Sequence, residues 1–96
     1  MKKDYTMAAT TTRQETIATV KTYILETFLP GEDPDELDET TPLITGGILD
    51  SISTVRVVAF LEERYGIEFQ AHEMGADYLD TLSKIAHTVE SKLSDR

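Results

Sequence analysis

The chain has 96 residues, enough for one domain built around a single modest core. Its 18 acids against 9 bases give a net charge of −9, which argues against nucleic acid or an anionic membrane as partner and for proteins with basic faces. There is no cysteine, hence no disulfide, thiolate nucleophile or cysteine metal site, and no apolar run approaches the ~18 residues of a membrane span; a cytoplasmic monomer is expected.

Residues 1–11 are small and polar without a period and read as a disordered tail. At Thr12 the pattern changes. Thr12 with Glu15 forms a capping-box signature, and Ile17, Val20, Ile24 and Phe28 then recur on one helical face until Pro30-Gly31. The next connection, Pro30 to Leu49, spans about 20 residues, a length uncommon for a structureless run in a compact domain. Leu37, Leu43, Ile44, Ile48 and Leu49 supply points at which it can be pinned to the core, while Thr41-Pro42 and Gly46-Gly47 set its turns, so it should lie on the bundle as an ordered strap. Its acids, Glu32, Asp33, Asp35, Glu36, Asp38 and Glu39, are unaccompanied by Lys or Arg and form a solvated charge run. A calcium loop opening at Asp33 fails, because Asp38 would stand where Gly is needed and Ile44 where Glu is needed.

Asp50 is placed to cap a second helix that carries Val55, Val58, Leu61 and Tyr65 and stops at Gly66, a residue suited to a left-handed C-terminal position. A short extra turn is expected over Ala71 to Ala76. After Asp80 or Thr81 as N-cap, Leu82, Ile85, Ala86, Val89 and Leu93 mark the last helix. The domain is thus expected over residues 12–93, followed by a tail at 94–96.

Ser51 falls in the first turn of the second helix, where unpaired backbone N–H groups and the positive end of the helix dipole suit a phosphate. Nothing beside it reads as catalytic machinery. His72 and His87 are the only imidazole bases, no Gly-x-Ser-x-Gly elbow surrounds Ser51, and neither histidine reads as a metal ligand. Gly46-Gly47 lacks the Gly-Lys-Ser/Thr ending of a nucleotide phosphate loop. Taken alone, Asp50-Ser51 is an ordinary helix start.

In order, the anionic loop, Gly46-Gly47, Leu49-Asp50-Ser51-Ile52 and the long apolar helix resemble an acyl or peptidyl carrier protein, and the resemblance covers about residues 12–93. It implies an all-α, four-helix carrier bundle with a long first loop and a short third helix. Ser51 matches the serine that bears a 4′-phosphopantetheine arm, Asp50 the aspartate before it, and Ile52 replaces a commoner Leu. Leu43 resembles the apolar loop anchor, Tyr65-Gly66-Ile67 the family's helix ending, and Asp80-Thr81-Leu82 the start of its last helix. The same resemblance makes Asp50, Ile52, Val55, Arg56 and Ala59 a partner-binding face, with Val57, Val58, Leu61 and Tyr65 turned inward; inward packing of Val55 and Phe60 is the competing reading.

The likeness implies a carrier and not an enzyme, with no metal of its own. Its implied partners are a phosphopantetheinyl transferase using coenzyme A, an adenylating ligase or acyltransferase, and downstream condensing, tailoring or transferase enzymes. Ser53, Arg56 and Arg64 make the recognition helix less acidic than in fatty-acid carriers, whose partners read acids through Lys/Arg. The expected cargo is therefore an aminoacyl or specialised acyl group, with a nonribosomal peptide or hybrid polyketide setting favoured. The alternatives are a fatty-acid or alanyl carrier within the family, or an unmodified acidic helical interaction module.

Overall fold

The computed structural model describes residues 12–95, an all-helical bundle with no strand among them. Four α-helices follow one another: α1 (Arg13–Phe28), α2 (Ser51–Tyr65), α3 (Ala76–Leu79) and α4 (Leu82–Ser94). Two 3-10 turns, Pro34–Glu36 and Ala71–Glu73, lie before α2 and α3. The expected tail at residues 1–11 and the terminal Arg96 lie outside the described residues, and α4 continues through Ser94, one residue beyond the expected boundary. No described helix is long and apolar enough to cross a membrane.

The helix ends follow their local chemistry. Thr12 accepts from the Glu15 N–H while the Glu15 carboxylate accepts from the Thr12 N–H, each at 3.1 Å, so two orphan donors of α1 are satisfied reciprocally. Gly66 ends α2 in the left-handed region at φ 68°, and Thr81, not Asp80, caps α4 by accepting from the Lys84 N–H at 3.0 Å.

One core holds these pieces together. α1 contributes Ile17, Val20 and Ile24, α2 contributes Val57, Val58 and Leu61, and α4 contributes Leu82, Ile85, Ala86 and Val89. α1 packs chiefly on α4, as does α3, whereas α2 meets α4 more lightly. The expected apolar faces are thus largely present, with four revisions. Phe28, Tyr65 and Leu93 are only partly buried at the rim, because each lies near a helix end where the neighbouring helix no longer covers it. On α2 Val55 faces out, as the resemblance implied and against the inward face read from its period, and the inward position next to it is taken by Thr54, whose hydroxyl donates to the Asp50 carbonyl at 2.8 Å. Phe60 is half-buried through a stacked contact with Tyr23, ring centroids 4.1 Å apart.

The fourth revision concerns the short third element. The expected single turn at Ala71 to Ala76 is two pieces, because Met74 and Gly75 interrupt the helix and Gly75 becomes the N-cap of α3. Leu79 then enters the core, and Glu73 is tied to Lys92 of α4 at 2.7 Å. The loop from Pro30 to Leu49 lies on the bundle as a strap, with Leu37, Leu43 and Leu49 buried and Ile44 and Ile48 half-buried.

Among the buried threonines, Thr54 and Thr88 return their hydroxyls to the carbonyl four residues back, but the Thr16 Oγ1 has no partner. An unpaired buried hydroxyl costs about 1–3 kcal/mol. Thr16→Val should therefore raise the stability of the chain by about 1 kcal/mol, read as a higher urea midpoint with an unchanged slope.

Candidate functional site at the start of the second helix

The chain reaches α2 through a tight return. Leu43 is buried, its N–H donates to the Asp80 carbonyl, and its own carbonyl accepts from the Leu49 N–H at 2.8 Å. Between them the Gly47 N–H closes a turn on the Ile44 carbonyl at 3.1 Å. The two glycines serve different needs: a Cβ on Gly46 would overlap the Pro42 carbonyl oxygen, whereas Gly47 has open space but sits at φ 84°. Asp80 supports this return from the α3–α4 junction. Its Oδ1 accepts from the Ile44 and Thr45 N–H groups at 2.8 and 2.9 Å, and its Oδ2 from the Thr45 hydroxyl at 2.8 Å.

Asp50 follows as the N-cap of α2, its Oδ1 accepting from the Ser53 N–H at 2.8 Å. That N–H is the largest cause holding the Asp50 carboxyl below its usual range. Ser51 is the first helical residue and is exposed; among the described residues no hydrogen bond engages its hydroxyl. Among the described residues, Ile52 and Val55 are the large apolar side chains that stand free of the core, 74% and 54% exposed. Spacings of three and four residues join Ile52 to Val55 and Arg56, and both of these to Ala59, so the four make one continuous exposed strip beginning beside Ser51. An open cleft of about 290 Å³, lined by Tyr23, Arg56, Ala59, Phe60 and Glu63, borders it.

The structure therefore brings together every residue that the sequence suggested for this site: Asp50, Ser51, Ile52, Val55, Arg56 and Ala59. It does not bring a histidine to Ser51. His72 sits edge-on to Tyr78, with 6.0 Å between ring centroids, and His87 shares a separate cleft with Arg13 and Ser83. Asp80 is the residue whose part was missed. As a cap candidate it could be judged from its neighbours, but its real partners lie 35 and 36 positions away, beyond any local pattern.

The model of the phosphopantetheine attachment site matches residues 24–89, from within α1 to within α4. The chain belongs to this phosphopantetheine-attachment family of carrier proteins. The D-alanyl carrier protein of Lactobacillus acidophilus (strain NCFM) is 34% identical over 64 residues, covering 66% of this chain and 78% of the relative. That of Streptococcus sanguinis (strain SK36) is 35% identical over 66 residues, covering 69% and 81%, and that of Leuconostoc citreum (strain KM20) is 32% identical over 68 residues, covering 71% and 85%. These relatives support the carrier class, and not a nonribosomal or polyketide setting in particular.

The family's cofactor is covalent 4′-phosphopantetheine, and the start of α2 fits such a group. It offers an uncommitted hydroxyl in the open, at a helix end whose unpaired N–H groups and dipole favour a phosphodiester by roughly 0.3–1 kcal/mol.

Asp38, Asp50, Glu73 and Asp80 all have carboxyls held below their usual range, in each case chiefly by a backbone N–H: that of Thr40, Ser53, Gln70 and Thr45 respectively. A lowered folded-state value means that the stabilisation is fully present above the unfolded carboxylate value, about 4, and is lost as pH falls through the lower folded-state values. Stability measured by urea denaturation should hold from pH 7 down to about 5 and then fall steadily towards pH 2 as far as these groups govern it.

Proposed function

We propose that Ser51 bears the 4′-phosphopantetheine arm and that the chain is a discrete carrier of an aminoacyl group. The observation that carries this reading is the exposed, unpartnered Ser51 hydroxyl at the first position of α2, directly flanked by a strip of exposed apolar side chains on a domain of the carrier family. The arm supplies a terminal thiol that holds an acyl group as a thioester, which this cysteine-free chain could not do itself. The chain's own residues present and orient that arm. Asp50 fixes the first turn of α2, and its carboxylate, although it repels a phosphodiester, suits a metal or basic residue brought by the modifying enzyme.

In this reading a phosphopantetheinyl transferase modifies Ser51 from coenzyme A with Mg²⁺, and an adenylating ligase loads the thiol. A condensing, tailoring or transferase enzyme then takes the cargo, so the chain is the substrate of its partners and not a catalyst. All of them would meet the strip formed by Ile52, Val55, Arg56 and Ala59. The relatives' names support an aminoacyl cargo and make D-alanine the first amino acid to try. Ser53 and Arg56, where fatty-acid carriers place acids, support the same choice over a fatty acyl group.

Intact mass after incubation of the apo chain with coenzyme A, Mg²⁺ and a broad-specificity phosphopantetheinyl transferase tests the attachment. The wild type should gain one arm and Ser51→Ala none. No gain on the wild type would return the chain to an unmodified interaction module, and a gain that persists in Ser51→Ala would move the site. With the arm in place, an ATP-dependent D-alanine-activating ligase should add one alanyl group that hydroxylamine releases; loading by other amino acids in its stead would change the cargo and leave the carrier.

The docking strip has its own test. Ile52→Asp should lower kcat/KM for arm transfer at least about tenfold, as expected for an anchor removed from an interface centre. Because Ile52 is 74% exposed, the same change should leave Tm close to that of the wild type.

A further inference from the structure

The residue that governs the approach to α2 lies outside it. Asp80 accepts hydrogen bonds from the Ile44 N–H, the Thr45 N–H and the Thr45 hydroxyl through its carboxylate, and from the Leu43 N–H through its carbonyl at 2.6 Å. Three consecutive loop residues are thereby fixed to the α3–α4 junction. From there to Ser51 the chain has little freedom, since Leu49 returns to Leu43 by a backbone bond at 2.8 Å and is itself buried.

We propose that Asp80 is a positioning residue for Ser51: by holding the Ile44 and Thr45 amides it sets where the start of α2, and with it the Ser51 hydroxyl, stands relative to the bundle. The proposal rests on the reading of Ser51 as the attachment residue. Its content is geometric. Two adjacent amides require an acceptor oxygen at the right place, and a neutral amide oxygen meets that requirement as a carboxylate does. Asp80→Asn keeps this oxygen and can donate its NH₂ to the Thr45 hydroxyl oxygen. Asp80→Glu keeps the charge but displaces the carboxylate by one C–C bond, about 1.5 Å. An electrostatic role, exerted on the nearby Lys84 or on the start of α4, predicts the opposite ranking of the two variants.

Initial rates of arm transfer to the apo wild type, Asp80→Asn and Asp80→Glu, measured against carrier concentration, decide between them. Asp80→Glu should lose about tenfold or more in kcat with little change in KM, because the reacting hydroxyl is misplaced while the exposed Ile52 and Val55 still dock. Asp80→Asn should stay close to wild type. Amide hydrogen exchange at Ile44 and Thr45 should rise in Asp80→Glu only.

Wild-type kcat in Asp80→Glu would overturn the proposal. So would an equal loss in Asp80→Asn, or a loss confined to KM in proportion to the unfolded fraction. Should Asp80→Glu not fold, Asp80→Ala and Asp80→Asn divide the same question: the first removes the acceptor of both amides and should lower kcat, the second keeps it, and equal kcat in both overturns the proposal. A wild type that accepts no arm removes the attachment reading and this one together; a modified wild type with indifferent Asp80 variants removes this one alone.

Discussion

The buried Leu43 is the point on which the rest of the site depends. α2 meets α4 only lightly and touches α1 through the Tyr23–Phe60 stack further along, so the position of its first turn rests also on the chain that leads into it. That chain has no regular secondary structure from Leu37 to Asp50, and a backbone run of this kind must find partners for its N–H and C=O groups or leave them in water. Leu43 resolves the problem on both sides: its side chain is in the core, its N–H is on Asp80 and its carbonyl is on Leu49. The result is a closed return from residue 43 to residue 49 that delivers Asp50 to one place. Gly46 is needed there because the return passes so close to Pro42 that no side chain fits.

Charge is divided along the chain in a way that separates approach from contact. The loop from Glu32 to Glu39 carries only acids, whereas α2 has no acid between Ser51 and Leu61 and one base, Arg56. Long-range attraction to a basic partner thus originates mainly in the loop and the rest of the chain, and falls off with salt. The exposed strip beside Ser51 is apolar with a single cation, so for partners that dock there, as proposed, discrimination turns on shape and on what faces Arg56. A partner that relies on lysines or arginines against α2 would be drawn in by the net charge and then meet no acid there. Carriers that share one fold can in this way be kept with their own enzymes.

Much of this was legible in the sequence wherever the determining partner was near. The Thr12–Glu15 box, the Asp50 cap and the Gly66 ending each involve residues within a turn of one another, and each stands where the local pattern put it. The inward faces of α1 and α4 followed from their period. The misses involve distant partners or mixed faces. Asp80 and Thr81 both looked like caps, and only the fold shows that Thr81 does the capping while Asp80 faces amides more than thirty positions away. On α2, apolar residues occupy nearly the whole circumference, so periodicity could not separate Val55 from the core; the buried neighbour is Thr54, whose hydroxyl is satisfied by its own helix. Phe60 finds Tyr23 on another helix, a contact with no signature in either segment alone.

The contrast between Ser51 and its surroundings bears on how the proposed attachment site could serve several enzymes. The groups around it are committed: Asp50 to Ser53, Thr54 to Asp50, Leu49 to Leu43, and Ile44 and Thr45 to Asp80. Ser51 and Ile52, by contrast, stand exposed. Conformational freedom in the supporting backbone is thus surrendered on folding, not at each encounter, and a partner that binds the strip has little further ordering to impose. That matters for a small domain that must be recognised and released repeatedly. A loose loop would make every docking step carry the entropy of arranging it, whereas a fixed one leaves affinity to a few exposed side chains. On the proposed reading of Ser51 and its strip, affinity set by Ile52, Val55 and Arg56 alone can stay modest, so that partners exchange, while the position of the Ser51 hydroxyl remains the same for each of them.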